Sequence, residues 1–268
     1  MRFLAVYART LWDRKISWPM VAGSVILYVL MIVGIYPSFA NNPAFSEIIK
    51  SYPKEVLSLL AGSSGVNMMS PEGFISMEFL QLWGMIIIAG FAMATATAIV
   101  AREIDNHTMD IMLAQPLDRV EYLTAKLAAD LTMIFGLVAV TIGSIWVGTK
   151  LFDFKLDIHG ILAVSVPFAC LIIMIECYSL FLGTIMERGK AISVAIAILL
   201  VSHLWNALGD FNKTIEGMRW VSFMYYYNPA EALKTGEIPW GPVLLFIGVA
   251  VVFLTAAVVV FRERDIAA

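Results

Sequence analysis

The sequence predicts an all-α integral membrane protein. It has six transmembrane helices, an N-terminal helix lying in the membrane interface, and a cytoplasmic helical segment between the second and third spans. Three observations lead there. Of 268 residues, 60% are AVILMFWYC and 15% are charged, against roughly 45–50% and about 25% in a soluble domain, and mean hydropathy is +0.83. Six stretches approach the roughly 20 apolar residues needed to cross the hydrocarbon layer as helix. Arg and Lys are denser in alternate connections, as expected where cytoplasmic loops hold the positive charge.

Several function classes are excluded at once. The net charge of -3 and the pI near 5.6 provide no basic stripe, so no nucleic-acid partner is expected. Cys170 and Cys177 share one apolar stretch and stand about 10.5 Å apart along a helix axis, too far for a disulfide; they read as small packing residues. His107, His159 and His203 fall in three separate segments without carboxylate or cysteine spacing to match, so no metal site is expected. No Ser-His-Asp or Cys-His arrangement nominates a catalytic residue. The run from Gly183 to Ala191 imitates a P-loop, but five residues separate its glycines where four are required. Ala191 also stands where Ser or Thr should hold magnesium. No ATPase site and no cofactor are therefore expected in this chain.

The whole chain, 1–268, reads as one transmembrane domain. Residues 1–17 have a helical period, with Leu4, Tyr7, Ala8 and Leu11 on one face and Arg2, Arg9 and Asp13 on the other. Such a helix lies in the headgroup plane with its arginines near anionic lipid, which makes membrane lipid a partner; Trp12 and Trp18 suit that depth. The first span occupies 18–37. Ser38-Phe39-Ala40 resembles a signal cleavage site, but the apolar core is nearer 20 residues than the 7–15 of a signal peptide, and an uncleaved helix is expected. The outer loop 37–77 is too long for a turn. It carries an amphipathic stretch broken at Pro53, then Gly62-Ser63-Ser64-Gly65, and reads as a small external cap.

The second span is 79–101, the third 125–149, the fourth 160–186, the fifth 190–209 and the sixth 239–261. The outer segment 210–239 is aromatic, with Trp220, Phe223, Tyr225, Tyr226 and Tyr227, as interfacial anchors are. Within it, Asn228 at N-cap, Pro229 at N1, Glu231 at N3 and Gly236 at the end predict one short helix. With the N-terminus inside, the cytoplasmic parts hold Arg2, Arg9, Arg14, Lys15, Arg102, Arg119, Lys126, Arg188, Lys190, Arg262 and Arg264. Six spans then place both termini in the cytoplasm.

The cytoplasmic segment 102–121 is the most informative. Residues 108–114 make a short helix with Met109, Met112 and Leu113 on one face. Pro116 disfavours helix at Gln115. Asp118 then offers an N-cap with Glu121 three residues on, a capping-box spacing, and a continuous helix runs from Arg119 into the third span. Glu103, Asp105, Asp110, Asp118 and Glu121 stand against Arg102 and Arg119. An acidic loop on the positive side is explained by a basic groove on a soluble partner.

The run from Glu103 to Arg119 resembles the ABC-2 permease pattern: an acidic pair, G-T-L-E-L-L-L, then small-x-P-[VL]-[ST]-R. Thr108, Asp110, Ile111, Leu113, Pro116 and Arg119 match it residue by residue. His107 replaces the usual Gly and Asp118 the usual Ser or Thr, so the start of each helix differs locally. Ser70-Pro71-Glu72-Gly73-Phe74 and Tyr227-Asn228-Pro229 also resemble bacterial members. The resemblance implies that Glu103, Asp105, Thr108, Asp110, Ile111, Leu113, Pro116 and Arg119 belong to a coupling helix docking on a soluble ABC ATPase. It also implies two ATPase copies carrying ATP and magnesium, and a second permease copy or paralogue. The expected location is the cytoplasmic membrane of a prokaryote.

Three polar residues sit at membrane depth. Glu176 interrupts the fourth span, where a carboxylate costs about 2.5–3.5 kcal/mol on insertion scales; it is read either as interhelical glue or as a transport or gating group. Asp130 is nearer the cytoplasmic end and is expected to form a surface pair with Lys126 one turn earlier. His203 lies toward the outer end of the fifth span. The resemblance favours the membrane permease of an ATP-driven exporter. The alternative is a non-transporting scaffold or sensor that recruits a cytosolic ATPase. A proton-coupled carrier built on Glu176 is weaker, because the inverted repeats expected of such carriers are not visible.

Overall fold

The computed structural model describes residues 2–40, 42, 44, 47, 51, 67, 69–105, 118–209, 211 and 213–263, with the backbone alone at 2, 102–105 and 213. The elements are α1 (Arg2–Asp13), α2 (Ser17–Ala40), α3 (Pro71–Ile75), a π-helical turn (Ser76–Trp83), α4 (Gly84–Asp105), α5 (Arg119–Leu151), α6 (Ile158–Ile185), α7 (Arg188–Leu208), α8 (Lys213–Glu216), 3₁₀ turns at Arg219–Val221 and Phe223–Tyr226, α9 (Pro229–Thr235) and α10 (Trp240–Glu263). Among the described residues, six helices are long and apolar enough to cross a membrane: α2, the run 71–101, α5, α6, α7 and α10. The chain is an all-α integral membrane protein, with α1 at one end of the bundle and α9 at the other.

The amphipathic helix α1 is tied by an Arg9–Asp13 ion pair at 3.1 Å and packs along α5. Its inward side is set differently from the sequence pattern. Thr10 is buried, Tyr7 shares a hydrogen bond with Thr132 at 3.0 Å, and Leu4 and Trp12 point out. The reason is α5, which offers a polar partner at Thr132 and so rotates the helix about its axis. Trp18 is expected only as an interface anchor, yet its indole N–H donates to the Met133 carbonyl at 2.9 Å. It thereby staples the start of α2 to α5.

Ser70 caps the second span, its hydroxyl accepting from the Gly73 N–H at 3.1 Å, with Pro71 at N1. The next eight residues are π-helical, a rare geometry whose i to i+5 period stacks residues five apart. Ser76 and Gln81 exploit that period: the Gln81 amide donates to the Ser76 hydroxyl at 3.0 Å, both residues buried. Hydrophobic periodicity does not reveal this turn, because SMEFLQLW reads equally well as α-helix.

Helix α6 is central, packing against α4, α5, α7, α9 and α10. Close approach depends on two glycines. A Cβ at Gly183 would stand 2.9 Å from the Thr97 carbonyl of α4, and one at Gly160 would collide with the Leu233 carbonyl of α9. Gly183, the first glycine of the P-loop imitation, is thus a helix-packing residue. The imitation itself is a tight turn from α6 into α7. Its Lys190 pairs with Glu187 at 3.1 Å. Cys170 and Cys177 are free thiols.

Helix α9 follows the predicted pattern. Asn228 accepts from the Glu231 N–H, Pro229 is at N1, and Gly236 ends the helix at φ 70°, a left-handed value that favours glycine. Asp118 does sit at the N-cap of α5, but its side chain makes no capping hydrogen bond.

Candidate functional site: a buried carboxyl pair between two spans

The site begins where the described chain resumes, at Asp118. From Arg119 a single helix of 33 residues runs to Leu151, nearly 50 Å at 1.5 Å per residue. It starts against the end of α10, where an Arg119 guanidinium N–H donates to the Phe261 carbonyl at 3.5 Å. The last carbonyls of a helix lack intrahelical donors and carry its negative dipole end, so a cation is well placed there. Tyr122 and Leu123 then bury into a small cluster with Ala257 and Phe261 of α10 and Leu180 of α6.

Three turns along α5, Asp130 faces inward. It lies about 16 Å from the start of α5, and Glu176 lies about 14 Å from the same end of α6, so antiparallel packing sets them at matching depth. The two carboxyls are immediate neighbours. Glu176 is 0% exposed and Asp130 1%. Thr95 of α4 stands beside Asp130, but its hydroxyl is committed to the Phe91 and Ala92 carbonyls at 3.0 Å each. Among the described residues, no donor is placed in hydrogen-bonding geometry with any of the four carboxyl oxygens.

Two cations act on the pair from the α1 end. Arg14, in the turn between α1 and α2, is an electrostatic neighbour of both carboxyls; Lys126 is a neighbour of Asp130. The Lys126 ammonium stands 4.7 Å from the centre of the Tyr122 ring. The surface Asp130–Lys126 pair expected from spacing is therefore replaced by a buried Asp130–Glu176 pair. Helix α5 turns Asp130 toward α6 and leaves Lys126 half-buried one turn earlier. Two carboxylates in a dry interior do not both ionise, because like charges at contact repel strongly there. The arrangement can hold one proton between two acids, with Arg14 balancing the remaining charge.

The structure thus brings together Asp130 and Glu176, two of the residues singled out from sequence, and adds Arg14 and Thr95, which were not. Arg14 had counted only toward loop charge; its position one residue past the end of α1 gave no sign of reaching α5. His203 is half-buried toward the far end of α7 and is not part of the pair. Of the coupling-segment residues, Arg119 is described in full, and Glu103 and Asp105 have their backbone placed in the last turn of α4. Thr108, Asp110, Ile111, Leu113 and Pro116 lie outside the described residues. Among the described residues no group of His, Cys, Asp and Glu could hold a metal ion.

A bundle of six membrane-spanning helices among the described residues, one of them a long helix leading to buried polar groups, defines a multi-pass membrane protein. The match to known families is specific: residues 12–266 correspond to the ABC-2 family transporter proteins. That covers nearly the whole chain, and the chain belongs to this family of ABC transporter membrane permeases, whose members work with an ABC ATPase partner. No curated protein matches the chain.

Proposed function

We propose that this chain is the permease of an ATP-driven exporter. Two permease copies, or a copy and a paralogue, form the membrane path. Two copies of a soluble ABC ATPase, carrying ATP and magnesium, dock on the acidic segment 102–121 and perform the hydrolysis this chain does not. The chain sits in the plasma membrane of a prokaryote with both termini in the cytoplasm, and α1 rests among lipid headgroups there.

The observation that carries this reading is the continuity of α5. One unbroken helix connects Arg119, at the end of the acidic segment, with the buried Asp130 and with the far end of the bundle. A push on the docked segment is delivered to the Arg119–Phe261 contact and onward to the Asp130–Glu176 pair without an intervening hinge. The glycines that press α6 against α4 and α9 make the rest of the bundle respond as packed helices.

The test is docking. Ile111→Asp with Leu113→Asp places two charges on the apolar face of the segment, and the ATPase should no longer co-purify although membrane insertion is retained. Wild-type ATPase stoichiometry in the double variant would exclude the docking assignment. An ATPase that co-purifies but whose hydrolysis never moves solute into or out of proteoliposomes would favour the scaffold or sensor reading.

A further inference from the structure

At the end of the bundle opposite α1, a cleft of about 510 Å³ opens between the π-helical turn, the end of α7, the 3₁₀ turn and α9. That volume is in the range of small-molecule sites. Its wall has a consistent chemical character. Glu231 and Glu237 line it, and among the described residues no Lys or Arg does. Tyr225, Tyr226 and Tyr227 also line it, Tyr225 and Tyr226 crossing edge to face at 5.2 Å.

Two further groups on the same wall are built in and unsatisfied. Asn206 is 7% exposed and Tyr227 5%. Among the described residues, neither the Asn206 amide oxygen nor the Tyr227 hydroxyl has a hydrogen-bond partner. Both atoms lie beneath the cleft surface, which leaves contact with a ligand to its exposed groups. Tyr227 is held in position by stacking on Phe168 of α6 at 6.4 Å. Glu231 is fixed by the Asn228 amide, which donates to it at 2.9 Å. Burial pushes the Tyr227 hydroxyl well above its usual pKa, so it remains a neutral phenol.

We infer that this cleft binds an organic cation, an ammonium-bearing small molecule or an ammonium headgroup, through Glu231, Glu237 and the accessible rings of Tyr225 and Tyr226. Two carboxylates supply the opposite charge, and aromatic faces attract ammonium groups. A bare metal ion fits poorly: two carboxylates beside tyrosine rings are too few hard oxygen ligands. The site stands on the far-end geometry alone and does not depend on ATPase docking.

The full-length chain purified in maltoside detergent is titrated with benzyltrimethylammonium, with benzenesulfonate as the anionic control, following tyrosine and tryptophan fluorescence. Saturable binding of the cation, without binding of the sulfonate, is expected. Glu231→Gln with Glu237→Gln should weaken it by roughly tenfold or more, the scale of about 1.4 kcal/mol. Glu237→Lys, a single change at an exposed rim position, should abolish it, and unchanged thermal unfolding of each variant shows that the fold is kept. Adding dihexanoylphosphatidylcholine separates the sources: competition identifies a lipid headgroup as occupant, and no competition a free cation. No saturable binding to the wild type, equal binding of the sulfonate, or undiminished binding in correctly folded variants would overturn the assignment.

Discussion

Asp130 of α5 and Glu176 of α6 meet carboxyl to carboxyl at the buried centre of the bundle, at the same depth from the end that carries α1. Neither helix needs an acid to fold, and each acid alone would be costly to bury. Together, with one proton between them and Arg14 nearby, they become tolerable. This predicts a graded response to substitution. Glu176→Gln keeps the shape and gives Asp130 an amide donor, so thermal unfolding of the purified chain should stay within a few degrees of wild type. Glu176→Ala strands Asp130 and should cost about 1–3 kcal/mol. If Gln proves as damaging as Ala in the same detergent, the carboxyls do not support one another.

Arg14 makes a second, opposite prediction. A net negative pair leaves the guanidinium useful, whereas a fully neutral pair leaves it without a counter-charge. Asp130→Asn combined with Glu176→Gln should therefore be less stable than the sum of the single changes, and adding Arg14→Gln should recover part of the loss. Residues that share one network couple by about 0.5–3 kcal/mol. A double-mutant cycle on melting temperature measures this coupling, and strict additivity would remove Arg14 from the site.

How much of this was readable beforehand depends on the range of the interaction. Spans could be read because apolar run length is a local property, and the Asn228–Gly236 helix because caps are local chemistry. The unbroken helix from Arg119 was equally legible, since only the residue before Pro116 resists helix. Glu176 stood out as an acid in an apolar run. Its partner did not, because spacing points Asp130 to Lys126, four residues away, while the true neighbour lies 46 positions on in the sequence. The π-helical turn and the cleft beside it stayed hidden for a similar reason. Gln81, Asn206 and Tyr227 come from three segments, and only tertiary packing assembles them.

Helix packing gives a prediction with an internal control. A methyl at Gly160 meets the Leu233 carbonyl of α9, whereas a methyl at Gly90 meets nothing within 4 Å. Gly160→Ala should destabilise by about 1–3 kcal/mol through overpacking and loosen α9. Gly90→Ala should be neutral or stabilising by about 0.5–1 kcal/mol, the usual gain for alanine over glycine inside a helix. Thermal unfolding compares the two, and protease accessibility of the stretch 228–238 reports on α9 directly. Similar losses at both positions would mean that the α6–α9 approach is not the tight contact described.

The proposed transporter also fixes a topology, and the docking and cation-site assignments divide along it. Arg and Lys density places 102–121 inside, with 62–73 and 212–237 outside, because basic residues near the ends of spans are retained in the cytoplasm. Single cysteines at Ser63, Asn212 and Asn106, in a background with Cys170 and Cys177 replaced, can be probed with an impermeant thiol reagent on intact cells. Ser63→Cys and Asn212→Cys should label without permeabilisation, and Asn106→Cys only after it. The cation cleft lies beside Tyr225–Asn228, so labelling at Asn212→Cys also reports the side from which a soluble cation reaches it. Labelling of Asn106→Cys on intact cells would turn the molecule over. The acidic segment would then face away from any cytosolic ATPase, and a helix as long as α5 would have no motor at its end.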